Sequence, residues 1–340
     1  MAIRSLGNST SPYDAVMGQT GENTGVKDYD PPLVTGYGTR GLSGGGSDPG
    51  SSNVIAYITI ANTGNATDFG DLTIARNALG ACGGSGRGAF AGGWTGARRD
   101  EIDYVTVQNT GNASSFGDLT VERSPYQASC SSGSRGVWMG GHGVPGPGDS
   151  TTNIIDYVTL ANTGNATDFG DLTLERTSGG ALCSTTRGCC LGGNPQTAPY
   201  PRTNIIDYIT FDSTGNATDF GDMTKNAGSV IGNSNLTRGV YAVGEQHPPG
   251  STQQGMEYIT IASTGNATTF GDMVNRKANP HGMSSDINDR ACWGGGYLIS
   301  PGATTNAIEY VTISSTGNGT DFGDLTTNVY NGSGCAQGTG

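Results

Sequence analysis

A phrase of 19 residues recurs six times along the chain, and this repetition limits the possible folds more than any other feature. The first copy begins at Ile55 and reads IAYITIANTGNATDFGDLT. One tyrosine of each copy marks a period of 47 to 53 residues: Tyr57, Tyr104, Tyr157, Tyr208, Tyr258 and Tyr310. Repeats of this length are single supersecondary units that stack on their neighbours to bury a core. The pattern therefore indicates an array of similar units.

Composition agrees with an array of short strands and tight turns. Glycine accounts for 59 of the 340 residues but has no three-residue period, which excludes a collagen-like triple helix. The repeats extend from residue 36 to residue 340, so we expect one closed domain in residues 36–340. Residues 1–35 match no repeat, and we expect an N-terminal arm there that is either an anchor or disordered.

Each repeat is predicted to form four antiparallel strands. Strand a precedes an Arg-Gly step, strand b starts at that arginine and ends in paired glycines, strand c contains the tyrosine, and strand d is the F-G-D-L-T segment. The T-G-N step between strands c and d predicts a tight hairpin, because glycine and asparagine tolerate positive φ. Strand c is apolar on both faces in the first copy (residues 54–60), as expected for a sheet that is covered on both sides.

Length varies between the copies mainly in one set of loops. The tyrosine of strand c and the phenylalanine of strand d are 12 residues apart in all six copies, whereas the arginine and the tyrosine are 17 to 22 residues apart. The variable segments are the loops between strands b and c: 47–53, 94–100, 142–152, 194–203, 245–254 and 297–306. A rigid scaffold tolerates such insertions at little thermodynamic cost, so this b–c loop face is the expected site of recognition.

The two ends of the array predict how it closes. Phe322 is followed by 18 residues, the spacing that leads to the next arginine elsewhere, so residues 333–338 are expected to form a strand a without a partner. Arg40 starts a strand b that lacks its strand a. Together these strands would complete one mixed blade and remove both exposed edges. The predicted fold is all-β: a six-bladed β-propeller of four-stranded antiparallel blades, closed by the N- and C-terminal strands.

These motifs resemble the kelch repeat, whose second strand ends in Gly-Gly and whose third strand carries a tyrosine. The resemblance covers essentially all of residues 36–340. It departs at the fourth strand, where Phe-Gly-Asp stands in place of the family's usual tryptophan. The resemblance implies a propeller fold, which the strand pattern also predicts.

Several polar residues are identical in every copy, which favours a role in the scaffold over a role in one asymmetric site. The retained arginines are Arg40, Arg87, Arg135, Arg187, Arg238 and Arg290. The retained aspartates are Asp71, Asp118, Asp171, Asp222, Asp272 and Asp324. A repeated Arg–Asp pair within or between blades would explain why both are kept.

Two other repeated features have a structural and a functional interpretation. Each copy contains an N-x-T or N-x-S step, which we interpret as a turn asparagine and not as a glycosylation site. Asp68 and Asp71 could ligate calcium, but the first aspartate is replaced in two copies. We therefore expect no metal and no cofactor.

The cysteines are expected to be free, buried thiols. Four of the seven lie shortly before the Arg-Gly step of their repeats, at positions that are far apart in an array: Cys82, Cys130, Cys183 and Cys335. Disulfides between such positions are not expected. A zinc site has no support either, because no C-x2-C pair occurs.

No sequence feature indicates catalysis. His142 and His247 fall in b–c loops of non-adjacent repeats and His281 falls outside those loops, so the histidines form no constellation. Nucleophile-elbow, zinc-protease, Rossmann and P-loop motifs do not occur. A formal net charge of −12 without a basic cluster argues against nucleic-acid binding, and no apolar run is long enough for membrane insertion.

The b–c loops contain the residues that we expect to contact a partner: His142, Tyr200, Arg202, His247 and Tyr297. Aromatic side chains and arginine concentrate interface energy, and they can stack on sugars or peptides. One alternative function is a glycan-binding, lectin-like propeller. A second is a propeller enzyme with an unrecognised site in its central channel.

The phrase Y-x-T-I-x-x-T-G-N-A-T-D-F-G-D-L-T resembles repeats in uncharacterised structural proteins of marine bacteriophages and large algal viruses. This resemblance implies a non-enzymatic virion component, such as a capsid decoration, a fibre or a tail-associated propeller for host attachment. It also implies assembly in the host cytoplasm, exposure on the particle surface, and contact with other virion proteins, for which residues 1–35 are the expected anchor. The loops would then face a host glycan, a host protein or a neighbouring subunit.

Overall fold

The computed structural model describes residues 39–143, 150–196, 202–246, 251–252 and 254–336. All regular secondary structure in these ranges is β, as the sequence predicted. None of the chain in these ranges forms a helix of the length and apolar character that would cross a bilayer. The predicted N-terminal arm, residues 1–35, lies outside the described residues.

Six four-stranded antiparallel sheets, one for each repeat, contain most strands of the described chain. Each sheet has the strand order a, b, c, d, and the sheets are numbered along the chain from the one that contains Arg40. From the first sheet to the sixth, strand a is β30 (Ser333–Ala336), β4 (Gly80–Gly84), β8 (Ser129–Ser131), β12 (Gly180–Cys183), β17 (Ile231–Ser234) and β24 (His281–Ser285). Strand b is β1 (Arg40–Gly44), β5 (Arg87–Trp94), β9 (Arg135–His142), β13 (Arg187–Leu191), β18 (Arg238–Ala242) and β25 (Arg290–Gly294).

The other two strands of each sheet contain the repeated phrase. Strand c is β2 (Val54–Thr59), β6 (Arg98–Thr106), β10 (Thr151–Thr159), β14 (Ile205–Thr210), β21 (Gly255–Thr260) and β28 (Ala307–Thr312). Strand d is β3 (Thr67–Asp71), β7 (Ser114–Asp118), β11 (Thr167–Asp171), β15 (Thr218–Asp222), β22 (Thr268–Asp272) and β29 (Thr320–Asp324).

Two small sheets lie at the b–c loops of the fifth and sixth sheets. Each consists of a loop hairpin and a short strand from the preceding connection between sheets. The first contains β16 (Ala227–Gly228), β19 (Glu245–Gln246) and β20 (Ser251–Thr252). The second contains β23 (Lys277–Ala278), β26 (Tyr297–Leu298) and β27 (Ala303–Thr304).

Strand d begins two residues earlier than the sequence predicted. In the first sheet it covers Thr67–Asp71, whereas the F-G-D-L-T segment had suggested residues 69–73. The cause is Leu72, which donates its backbone N–H to the carbonyl of Asn53 and buries its side chain. The chain therefore turns into the core immediately after the repeated aspartate.

The last described strand of the chain belongs to the first sheet. β30 pairs antiparallel with β1, so that Gly41 lies opposite Ala336 and Gly44 lies opposite Ser333. The C-terminal segment thus supplies the strand a that the first repeat lacks.

Apolar side chains pack between neighbouring sheets. One cluster joins Ile55 of the first sheet to Phe90 of the second, and another joins Ile58 of the first sheet to Met283 of the sixth. Successive residues of a strand point to opposite faces, so both surfaces of the first sheet are covered. In every sheet the tyrosine of strand c meets the phenylalanine of strand d edge to face, with ring centroids 5.7 to 6.2 Å apart.

The repeated arginines connect each sheet to the next. Arg40 lies over the ring of Tyr57 in its own sheet, 4.6 Å from the centroid, and its Nη1 donates a hydrogen bond to the carbonyl of Val107 in the second sheet. Arg290 of the sixth sheet donates in the same way to the carbonyl of Ile60 in the first. The other four make equivalent contacts: Arg87, Arg135, Arg187 and Arg238.

The predicted pairing of these arginines with the repeated aspartates is wrong. Arg40 lies opposite Thr59 at one end of strand c, whereas Asp71 lies opposite Val54 at the other end. A strand rises about 3.4 Å per residue, so the two residues are roughly 17 Å apart along the sheet. Within the described residues, no ion pair joins a repeated arginine to a repeated aspartate.

The asparagine of each T-G-N step bonds to the sheet before it. Asn112 Oδ1 accepts a hydrogen bond from the backbone N–H of Asp71 at 3.1 Å. The equivalent bond occurs in all six copies, including the one between Asn65 and Asp324 of the sixth sheet. This contact accounts for the repeated asparagine without glycosylation.

All seven cysteines have free thiols, and six of them are buried. Cys183 differs from the prediction, because Leu182 occupies the position opposite the third residue of strand b and Cys183 follows it. Cys183 is half-buried and points to the other face of its strand. The expected equivalent position is kept by three of the four: Cys82, Cys130 and Cys335.

A buried ion pair that the sequence patterns did not predict holds four of the connections between sheets. The cation lies in the connection that enters a sheet, and the acid lies in strand c of that sheet, just before the tyrosine. The pairs are Arg76–Asp103 (3.1 Å), Arg123–Asp156 (2.6 Å), Arg176–Asp207 (2.9 Å) and Lys277–Glu309 (3.2 Å). No side chain of these pairs is more than 3% exposed. Burial lowers the pKa of Lys277, and the Glu309 carboxylate opposes that shift.

Candidate functional site

The Gly-Gly step at the end of strand b directs the chain into the b–c loop. In the third sheet Gly140 and Gly141 have φ angles of +66° and +128°, a region that favours glycine. A Cβ on Gly141 would lie 2.7 Å from the carbonyl oxygen of Ser124. His142 follows and exchanges two backbone hydrogen bonds with Ser124, of 2.8 and 3.0 Å. These bonds hold His142 at the edge of the loop face.

A pocket of about 400 Å³ opens on the b–c loop face between the third and fourth sheets. We call it the loop-face pocket. Its lining comes from the third sheet, from the connection between the two sheets, and from the b–c loop of the fourth sheet: His142, Thr151, Thr177, Asn194, Pro195, Gln196 and Arg202. The volume is within the usual range for small-molecule sites.

Arg202 is the charged group of the pocket lining that carries a full positive charge. Its Nη2 lies 2.5 Å from Oε2 of Glu245 in the fifth sheet. The Arg202 side chain is 14% exposed, whereas that of Glu245 is 41% exposed. Glu245 is therefore a solvent-facing partner that can move away from the guanidinium.

A second guanidinium approaches the pocket from the second sheet. Arg98 lies over the ring of Trp94, 4.6 Å from its centroid, and is hydrogen-bonded to Nδ1 of His142. Its Nη1 also donates to Ser124 Oγ at 3.1 Å. Trp94 is 37% exposed, so an aromatic ring and two arginines follow one another across this face.

Three buried oxygen atoms in the pocket wall have no hydrogen-bond partner. They are Oγ1 of Thr151, Oγ1 of Thr177 and Oδ1 of Asn194. The backbones of Thr177 and Asn194 hold each other through two hydrogen bonds, of 2.7 and 3.1 Å. The backbone N–H of Thr151 donates to Oε1 of Gln196 at 2.7 Å. The wall is thus fixed by its backbone while three side-chain oxygens remain unpaired.

The structure brings two of the five predicted contact residues together. His142 and Arg202 both line the loop-face pocket. Tyr297 lies instead in the small sheet next to the sixth sheet, where its ring centroid is 5.9 Å from that of Tyr330. Tyr200 and His247 lie outside the described residues. The contact role of all five stays a prediction.

The three residues whose oxygens are unpaired were not predicted from the sequence. Thr151 and Asn194 fall in variable loops but belong to residue types that are common in turns. Thr177 is not in a b–c loop at all, since it follows Arg176 in the connection between sheets. No spacing in the sequence shows that this connection lies beside the loop of another repeat.

A smaller cavity, of about 120 Å³, is lined by strand a residues of all six sheets. Its hydroxyl groups bond to neighbouring strands: Ser129 Oγ donates to the carbonyl of Ala81 at 2.8 Å, and Ser131 Oγ donates to that of Gly83 at 2.8 Å. Asp286 is the one carboxylate among its described lining residues. In the described part of the chain, no three metal-ligating side chains cluster. This cavity presents small, already bonded groups.

No protein-family model matches the chain, and no curated protein matches it. Its function therefore has to be argued from the geometry of its own sites.

Proposed function

We propose that residues 36–340 form a closed six-bladed β-propeller whose first blade is shared by the two ends of the chain. Three contacts between distant parts of the sequence support closure. β30 pairs with β1, Arg290 bonds to the carbonyl of Ile60, and Asp324 donates its N–H to Asn65. Each repeats, between the sixth and first sheets, a contact that joins consecutive sheets or strands elsewhere.

Truncation tests this closure. Deleting residues 330–340 removes β30 and leaves β1 as an unpaired sheet edge. We expect a large drop in melting temperature or aggregation, measured by calorimetry and light scattering. A truncated protein that melts like the full chain would contradict a ring closed by its ends.

On this scaffold, we propose, the chain acts as a non-enzymatic structural and interaction protein of a virion, presenting its b–c loops to a host surface or a neighbouring subunit. The loop-face pocket is the observation that carries the interaction role. A six-fold repeat with one asymmetric, polar pocket on its variable face has the form of a binding module. The placement in a virion, as a decoration, fibre or tail component, rests on the wording of the repeated phrase.

Two experiments test this function. Mass spectrometry of purified particles should find the chain as a stoichiometric component, and its absence from particles would contradict the virion role. Exchanging loop 194–203 for the shorter loop 94–100 should leave folding intact and weaken binding to host cells or to neighbouring subunits. Exchanging loop 297–306 in the same way is the matched control, because that loop lies outside the pocket. Equal binding after the exchange of loop 194–203 would contradict recognition at this site.

Residues 1–35 remain the proposed anchor to other virion proteins. Their few apolar residues cannot form a core of their own. Removing them should leave residues 36–340 folded, with unchanged melting temperature, and should abolish incorporation into particles. Normal incorporation without residues 1–35 would contradict the anchor.

Glycan binding is the second candidate function. The hydrophilic lining of the loop-face pocket favours it, because sugars are bound through many hydrogen bonds to fixed polar groups. A glycan array probed with the labelled protein, with the loop 194–203 exchange as control, tests it.

A further inference from the structure

We infer that the loop-face pocket binds one carboxylate-bearing sugar residue of a glycan, with Arg202 holding the carboxylate and Thr151, Thr177 and Asn194 holding hydroxyl groups. The inference rests on the proposed function, since it names the ligand class of the same site. Three independent properties of the pocket support it: its unpaired oxygens, its charge, and its polarity.

The unpaired oxygens indicate a ligand with several hydroxyl groups. A threonine hydroxyl both donates and accepts, whereas the asparagine oxygen only accepts. A sugar hydroxyl can satisfy either kind, because it also donates and accepts. The three oxygens belong to the third sheet, to the connection and to the fourth-sheet loop, so a ligand that satisfies all of them must offer hydroxyls in several directions. Leaving buried oxygens unpaired costs about 1–3 kcal/mol each, which a bound ligand can recover.

The charge of the pocket indicates an anionic group on that ligand. The chain has a formal net charge of −12, yet the described lining contains an arginine and no carboxylate. A guanidinium matches a carboxylate in a two-bond geometry. Glu245 now occupies that place on Arg202 and is the more exposed of the two. A ligand carboxylate would replace Glu245, which would return to solvent.

The polarity of the lining argues against an apolar peptide anchor. Pro195 is the one apolar residue among the described lining residues, and the others offer hydroxyl, amide, imidazole or guanidinium groups. Peptide anchors are usually aromatic or aliphatic side chains in apolar pockets. A hydrated, hydroxyl-rich ligand fits this wall better.

The test compares acidic sugars with matched neutral ones. Glucuronate, galacturonate and N-acetylneuraminate are titrated into the full chain by calorimetry, alongside glucose and galactose. We expect at least one acidic sugar to bind about tenfold more tightly than its neutral counterpart, with an affinity that falls as salt rises. Equal affinity of all acidic and neutral sugars, or no binding of any, would overturn the inference.

Point variants separate recognition from folding. Arg202→Gln should weaken binding of the acidic sugar at least tenfold, whereas Glu245→Gln should strengthen it several-fold because the competing carboxylate is gone. Thr177→Val should weaken binding about fivefold without lowering the melting temperature, since its hydroxyl has no partner to lose. Thr304→Val, in the loop of the sixth sheet, is the matched control and should bind normally.

Two outcomes would reject the sugar while sparing the proposed function. One is unchanged binding by both Arg202→Gln and Thr177→Val. The other is a crystal structure soaked in glucuronate in which ordered water alone satisfies the three oxygens. If the exchange of loop 194–203 still abolished host or subunit binding, the interaction role would stand with a different ligand.

Discussion

The connections between sheets are held in two different ways. Four of them bury an ion pair, as Arg123 and Asp156 do between the second and third sheets. Between the sixth and first sheets, which we call the seam, both positions are apolar. Val329 stands seven residues after Phe322, where the cation would be, and Ala56 stands before Tyr57, where the acid would be.

These junctions show that a buried acid is kept only where a donor reaches it. A buried charge without a partner costs several kcal/mol, whereas an apolar pair of suitable volume can replace an ion pair at little cost. The connection between the fourth and fifth sheets follows the same rule. There Ala227 replaces the cation, and the remaining acid, Glu257, accepts a hydrogen bond from the hydroxyl of Tyr241 at 2.7 Å. No described acid at this position is left without a donor.

The largest expected effect comes from breaking one ion pair. Arg123→Val should lower the free energy of unfolding by about 3–5 kcal/mol, because it leaves Asp156 buried without its cation. The double variant Arg123→Val, Asp156→Ala copies the seam and should recover most of that loss. Urea denaturation of the three proteins measures this. A single variant that loses less than about 1 kcal/mol would contradict the role of the pair.

The seam has its own polar contact, which predicts a pH dependence. His281 is fully buried, its Nε2 accepts the N–H of Gly332 at 3.0 Å, and its Nδ1 lies 2.6 Å from Ser43 Oγ. Burial, and to a lesser extent the nearby Lys277 charge, lower the pKa of His281 to about 3. The unfolded chain takes up this proton near pH 6.5, and the folded chain does so only near pH 3.

The stability due to neutral His281 is therefore complete above pH 6.5 and is lost as the pH falls from 6.5 towards about 3. By pH 4.5 the loss should reach about 2–3 kcal/mol relative to neutral pH. His281→Gln should remove this part of the acid sensitivity, so the difference between the two proteins, measured by denaturation from pH 7 to pH 4, isolates it. Parallel curves for the two proteins would show that the seam histidine does not titrate in this way.

The arginine contacts should behave alike at the seam and elsewhere. Arg290 and Arg187 each donate two hydrogen bonds to carbonyls of a neighbouring sheet and each lie over a tyrosine ring. Arg290→Ala and Arg187→Ala should each cost about 1–2 kcal/mol in the free energy of unfolding, measured by urea denaturation. A much larger loss for Arg290→Ala would mean that the seam depends more on this contact, and it would sharpen the difference between the two kinds of junction.

The smallest effect is expected when the seam is given the missing ion pair. Ala56→Asp alone should destabilise the protein, because it buries an unpaired carboxylate. The double variant Ala56→Asp, Val329→Arg should lie within about 1 kcal/mol of the parent protein in urea denaturation, since a buried pair and an apolar pair are nearly equivalent. Thr326 occupies the place of Thr73 and can bond to the new carboxylate. A double variant as unstable as the single one would show that the seam cannot accept charge.

The missed ion pairs show where prediction from sequence stopped. Strand c is apolar in the first copy, where Ala56 precedes the tyrosine, but Asp103 takes this place in the second and is 1% exposed. Its partner Arg76 is 27 residues away and lies in a connection of no regular strand. The signal was present, since the acid and the cation are replaced together at the seam. It could be recognised only once the register placed both residues against the same sheet.

The sequence by itself determined the strands, the hairpins and the place of the last strand. These follow from local physics: alternating burial, positive φ at the turns, and a period that leaves one strand over at each end. Only the tertiary structure decided which side chains meet. Arg40 reaches Val107 across 67 residues, and Thr177 reaches the pocket of His142, because neighbouring sheets pack face to face. Such distances depend on how whole sheets stack, and residue spacing along the chain does not contain them.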